Sequence, residues 1–346
     1  MPQPLLDQAE ADGAACRAML REGSHSFDAA CRFMPRSVRE PAIALYAFCR
    51  SADDAIDGAS APDRLDSLRD RLSRVYAGKP LPMPPDRAFA RVVAQFAIPR
   101  AVPEALLEGF AWDAEGGRYA DLVALRRYAI RVAGTVGVMM ALLMGVRDTA
   151  RLDRAIELGV AMQFSNIARD VGEDARAGRL YLPLDWLAAA GIDPQALLAA
   201  PRFTPALGGV IRMLLQAAEA HYRRAATGIA HLPLSCRFAI TAACSLYAEI
   251  GREVGRRDMD PITSRAVVSR RRKAIVLTRD MAWMPLRVTP LDETRMADAA
   301  WLRDAVVRQK PAMPRRNAVA WWQISTRLQS FIDLLEVMAQ REQAHT

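Results

Sequence analysis

Tyr46, Arg50, Asp53 and Asp57 follow one another at steps of four, three and four, so on a helix they share one face. Gln163, Asn166, Asp170 and Asp174 repeat that arrangement at steps of three, four and four. Almost every neighbour is apolar: Ile43, Leu45, Phe48, Cys49, Ala52, Ala55 and Ile56 around the first set, Val160, Met162, Phe164, Ile167 and Val171 around the second. A surface helix carries an apolar stripe on a polar ground. These two stretches carry a polar stripe on an apolar ground, which predicts that both stripes face an internal cavity.

Carboxylates one helical turn apart sit about 5–6 Å from each other and repel by roughly 3 kcal/mol at an effective dielectric of 20. Gly58 and Gly178 mark nearby helix C-termini, where the helix dipole also disfavours anions. Something positive must offset this. Carboxylate oxygens suit a hard divalent cation, and Mg²⁺ characteristically takes one or two protein carboxylates together with phosphate oxygens of a substrate. Metals held between facing helices are a known bundle arrangement. Bridging by Arg50 and Arg169 is the structural alternative; it leaves Gln163 and Asn166 on the same stripe unexplained. A di-iron site would need Glu-x-x-His pairs, which His25, His221, His231 and His345 do not supply. Glycoside hydrolysis would place its paired carboxylates on loops of an α/β or β scaffold beside aromatic sugar platforms, and neither is visible.

Helices must position these residues. Ala, Leu and Arg dominate, apolar residues recur every three or four positions, and Gly or Pro punctuates at helix-length intervals, which predicts an all-α bundle. Ser37 and Pro41 are candidate start signals for the helix bearing the first stripe, and Gly58 its stop. The uncharged run Val132–Val146 is shorter than the roughly 20 residues of a membrane span and carries three glycines; a buried helix is expected. The main body extends to about residue 285. Residues 286–346 form a helical extension with Pro-containing connectors. In its last helix, about 317–341, Trp321, Ile324, Leu328, Phe331, Leu335 and Met338 share a face expected to dock on the body.

Apolar residues make up 51% of the chain and charged ones 25%, enough for a substantial core. The five cysteines are scattered without a C-x-x-C pair, which argues against a disulfide framework or thiolate metal site and fits a reducing cytoplasm. The N-terminus lacks the basic-then-apolar pattern of a signal peptide. A net charge of +8, nearly all arginine, is suited to phosphate groups or an anionic membrane; no zinc-finger, RNA-binding or helix-turn-helix pattern points to nucleic acid. No Gly-rich dinucleotide fingerprint follows a strand, so NADPH is not expected.

At YAFCRSADDAID and QFSNIARDVGEDARAGRLYLP the chain resembles the squalene/phytoene synthase family, matching its two aspartate motifs. YAIRVAGTVG (residues 128–137), GSHSF (23–27), LYAEIGREV with Tyr247 and SRRRKA around Arg271 match further family segments in order, over roughly residues 14–285. Ser165, Phe164 and Ile130 depart from residues common there, usually Thr, Leu and Tyr. The resemblance implies a single-domain helical bundle of the type I isoprenoid synthase fold with a central cavity. It implies Mg²⁺, with Mn²⁺ as a substitute, on Asp53, Asp57, Asn166, Asp170 and Asp174. Ser24, His25, Ser26, Tyr46, Arg50, Gln163, Arg169, Tyr247 and Arg271 would contact prenyl diphosphate, and Tyr128 would sit near the reacting carbons. The implied reaction joins two prenyl diphosphates head to head through a cyclopropyl intermediate. RLYLP and RVAGTVG resemble members that make phytoene from two geranylgeranyl diphosphates; squalene or dehydrosqualene from farnesyl diphosphate is the alternative. A noncatalytic assembly or membrane factor would be expected to have lost the acidic pairs. The implied setting is the cytoplasm, with peripheral contact at the inner membrane face and with other carotenoid-pathway enzymes.

Overall fold

Asp148 accepts a hydrogen bond from the Arg151 amide at 3.0 Å and so starts helix α9, Thr149–Arg176, which runs 28 residues, about 42 Å. Gly178, with positive φ, ends it, and the Arg179 amide closes back on the Asp174 carbonyl at 2.8 Å. This helix is the axis of the molecule in the computed structural model, which describes residues 3–56, 61–283 and 289–309. Around α9 pack α8 (Thr135–Leu143), α12 (Pro205–Ile229) and α13 (Leu234–Arg256). The first aspartate stripe lies on α3 (Arg36–Ile56), held between α1 (Gln3–Gly23) and α5 (Pro84–Phe96). No strand occurs among the described residues, and the architecture is the expected all-α bundle.

Helix α3 begins one residue before Ser37, and Pro41 lies inside it rather than at its start. The Val38 and Arg39 amides bond instead to the Pro35 carbonyl at 2.9 and 2.8 Å, which makes the preceding proline the entry point. The run 132–146 is largely buried as expected, with Gly145 exposed, but it is not one regular helix. Helix α7 (Leu122–Ala129) passes through a π-helical turn, Ile130–Gly134, into α8. At Gly137 an added Cβ would stand 2.3 Å from the Ala155 carbonyl oxygen, so glycine there lets α8 lie directly against α9.

Within the extension, residues 289–309 lie against the bundle. Arg303 of α15 (Ala300–Arg308) pairs with buried Asp153, and Arg126 pairs with Asp298. Residues 284–288 and the helix expected over 317–341 lie outside the described residues. All five cysteines are free thiols.

Candidate active site

Tyr46 faces the interior from α3, and its hydroxyl fits against Gly23, where a Cβ would stand 2.3 Å from the phenolic oxygen. The next residue, Ser24, caps α2 (His25–Cys31) by accepting from the Phe27 amide at 3.3 Å and also lines the cavity. Tyr247 of α13 meets the Ser24 hydroxyl there and lies within electrostatic reach of Arg169 and Tyr46. Farther along α3, Arg50 binds Asp54 at 2.7 Å and approaches Asp53 at 3.9 Å, with all three side chains about half exposed. Asp57 and the side chains of His25 and Ser26 lie outside the described residues.

On α9 the upper stripe divides by environment. Gln163 and Asn166 line the cavity, and the Asn166 side-chain oxygen is buried without a hydrogen-bond partner. Asp170 is paired with Arg169 and, at 2.8 Å, with Arg265. Burial alone would raise its pKa, but the two guanidiniums outweigh that and hold the carboxyl below its usual range. Asp174 has Arg179 at 3.7 Å and feels the charge of Arg265. Burial, and then the charge of Asp170, push its pKa up to about 7.

The structure adds a carboxylate that the spacing did not reveal. Asp113, near the end of α6 (Ala101–Ala114), accepts hydrogen bonds from Tyr128 at 2.7 Å and Tyr181 at 2.9 Å. Burial pushes it up to about 6 against those bonds, and the charge of Asp53 adds to the rise. Asp113 in turn raises Asp174, so it lies within electrostatic reach of one carboxylate from each stripe. The rings of Tyr119, Tyr128 and Tyr181 surround it, with centroids 5.1–6.2 Å apart. Tyr128 faces Asp113 and is not among the residues lining the cavity. In sequence Asp113 is the third acid of α6, after Glu104 and Glu108, and nothing in its spacing set it apart from them.

Between the stripes and α12 lies an apolar cavity of about 310 Å³, bordered by Val132, Val136, Met140 and Met162. Arg271 is exposed at the start of α14 (Arg270–Trp283), whereas Arg265 reaches the second aspartate pair. Ser165 bonds the buried Tyr222 hydroxyl at 3.1 Å, so the hydroxyl at that position is used in packing.

Among the described residues no three His, Cys, Asp or Glu side chains are grouped to enclose an ion by themselves. The donor set nevertheless fits a hard divalent cation bound jointly with phosphate oxygens. Asn166 offers an unpartnered buried oxygen, and the Asp170–Asp174 pair is split in protonation by burial and then by the charge of Asp170 at Asp174, and by Arg169 and Arg265 at Asp170.

A model of the squalene/phytoene synthase family matches residues 20–272. The chain belongs to the squalene/phytoene synthase family. Among family relatives, a phytoene synthase from Rhodobacter capsulatus is 55% identical over 269 residues, covering 77% of this chain and 79% of the relative. A phytoene synthase from Cereibacter sphaeroides is 45% identical over 334 residues, 90% of this chain and 92% of that one. A crystal structure of a dehydrosqualene synthase superposes with a TM-score of 0.74 at 29% identity, covering 81% of this chain and 99% of its own. The bundle is thus the fold of that family. No helix among the described residues is long and apolar enough to cross a membrane.

Proposed function

We propose that this chain is a phytoene synthase that joins two geranylgeranyl diphosphates head to head through a cyclopropyl diphosphate. The observation that carries this reading is an apolar cavity lined at one end by Ser24, Tyr46, Tyr247, Gln163 and Asn166, with Asp170 and its arginines one helical turn beyond Asn166: one compartment for prenyl chains, the other for diphosphate. Identity of 55% to a phytoene synthase supports the choice of product.

Asp53, Asp57, Asp170, Asp174 and Asn166 would hold Mg²⁺, for which Mn²⁺ could substitute. When bound, the metal supplies positive charge that stabilises departing diphosphate. Arg50, Arg169 and Arg265 now neutralise carboxylates of the rim. Their guanidinium forks match phosphate geometry, so they can pass to diphosphate oxygens as substrate enters. Ser24, Tyr46, Gln163 and Tyr247 present hydroxyl and amide groups along the same rim; His25, Ser26 and Arg271 complete the set carried over from the family. Val132, Val136, Met140 and Met162 line the compartment where the allylic cation forms and keep water from it.

Burial and Asp113 hold the Tyr128 phenol protonated, far above its usual range. Its proton stays on the phenolic oxygen, donated to Asp113, so Tyr128 orients that carboxylate rather than acting as a base. The final proton then goes to an oxygen of released diphosphate. The basic surface and the apolar substrates favour peripheral contact with an anionic inner-membrane face and, through it, with enzymes that consume the product.

The test is turnover by purified protein with Mg²⁺ and no NADPH, offered C20 and C15 diphosphates separately. Phytoene from the C20 substrate is expected. Consumption of the C15 substrate alone, giving squalene or dehydrosqualene, overturns the assignment.

A further inference from the structure

The cavity has a charged far end. Its wall follows α9 from Asn166 back to Arg154, twelve residues earlier and about 18 Å along the axis. Between them the lining is Ala155, Leu158, Gly159 and Met162, as befits a prenyl chain, with Gln163 next to Asn166 at the rim. Toward that end stands Arg154, whose side chain is only 2% exposed, with the more exposed Arg151 one turn beyond it. Burying a guanidinium at the end of an apolar channel is costly unless its donors are satisfied.

Glu157 of the same helix stands 3.9 Å away and Nε has no partner, but the hydrogen-bond partners of its two terminal nitrogens lie in the extension, beyond the family-matched residues 20–272. One terminal nitrogen donates to the Asp292 carbonyl at 2.8 Å and lies 3.2 Å from the Asp292 carboxylate; the other donates to the Thr294 carbonyl. The Asp292 amide donates to the Thr227 hydroxyl of α12 at 3.1 Å, and His231 meets the Thr289 carbonyl at 3.2 Å. The segment does not line the cavity itself; it is tied behind Arg154 to α9, to α12 and to the turn that follows it. Gly228 lets α12 come this close to Arg154: a Cβ there would stand 2.4 Å from Cβ and 2.7 Å from Cγ of Arg154.

We propose that Arg154 and residues 289–296 form the distal stop of the prenyl cavity. The segment holds the guanidinium in place from behind, and the position of that guanidinium sets the longest prenyl chain that fits. Specificity between C15 and C20 chains then depends on residues outside both aspartate motifs. This inference rests on the cavity being the prenyl site.

Two full-length variants and one measurement on the unaltered protein test it. Ile229→Trp fills the space beside the stop, since Ile229 lines the same end. It is expected to lower kcat/KM for the C20 diphosphate at least tenfold while changing that for the C15 diphosphate less than twofold. Arg154→Ala releases the segment and is expected to admit a C25 diphosphate that the unaltered protein turns over at least tenfold more slowly. Amide hydrogen exchange over 289–296, measured with non-ionisable C20 and C15 thiolodiphosphates, needs no variant to fold; the C20 analogue is expected to protect the segment more. Equal protection by both analogues, or a C20-to-C15 ratio unchanged in folded Ile229→Trp, overturns the proposal. Unaltered protein that consumes no prenyl diphosphate overturns the synthase assignment itself, and this inference with it.

Discussion

The Tyr128 hydroxyl donates to Asp113 at 2.7 Å, and Tyr181 occupies the other oxygen of the same carboxylate at 2.9 Å. Both carboxylate oxygens are thereby fixed in direction, in a buried place that feels Asp53 and Asp174 together. The pair joins the helix that precedes the π turn to the acidic rim, although Tyr128 itself does not line the cavity.

Asp113→Asn keeps the shape and removes the charge. Because the carboxylate organises two tyrosines beside both aspartate stripes, kcat should fall about tenfold or more with KM changed less than about threefold. Tyr128→Phe should show the same pattern. Steady-state kinetics on variants with unaltered circular dichroism decide it. Full kcat in Asp113→Asn would remove Asp113 from the working site.

Protons and metal should compete at Asp174. Its pKa is pushed up to about 7, so below that pH the carboxyl is mostly protonated, and metal binding must displace the proton. Mg²⁺ with a diphosphate analogue should therefore bind more weakly as pH falls below about 7 and release protons near neutrality. Calorimetry in buffers of different ionisation enthalpy reads that release. Buffer-independent enthalpies at pH 6.5 would contradict it.

Removal of divalent ions by EDTA should abolish turnover, and added Mg²⁺ should restore it. The double change Asp53→Ala with Asp170→Ala should abolish turnover at any Mg²⁺ concentration. Product formation by that variant at even a tenth of the normal rate would exclude these carboxylates as metal ligands.

A buried charge cluster outside the rim bears on stability. Glu157 binds His221 and, at 2.8 Å, Arg224, with Arg154 at 3.9 Å. Glu157→Ala leaves His221 and Arg224 without this carboxylate and should cost about 3–5 kcal/mol in urea unfolding. Burial raises the Glu157 pKa, but His221 and then Arg224 outweigh it and the net shift is downward from 4.5. The stabilisation is thus full above pH 4.5 and lost as pH falls through the lower folded value. The difference between unaltered protein and Glu157→Gln should shrink accordingly below pH 4.5. A gap independent of pH would show that Glu157 contributes by packing alone.

Both polar stripes could be read from the chain because steps of three and four residues translate directly into one helix face. Gln163 and Asn166 line the cavity from that face as expected. The all-α architecture was equally legible, since apolar periodicity is local information. Less was visible at helix ends: Pro41 looked like a start signal, yet Pro35 supplies the carbonyl at which α3 begins. The π turn at Ile130–Gly134 gave no compositional warning within a run that reads as continuous helix.

Local spacing thus determined which side chains share a face and which chemistry they suit, because a helix fixes the relative position of residues one turn apart. Tertiary structure alone decided what those faces meet. It brought Arg265 to Asp170 across 95 residues of sequence, set Asp113 between Tyr128 and Tyr181, and laid Asp292 and Thr294 over Arg154. Contacts of that kind depend on how separate helices pack, and no periodicity within one segment encodes its distance from another.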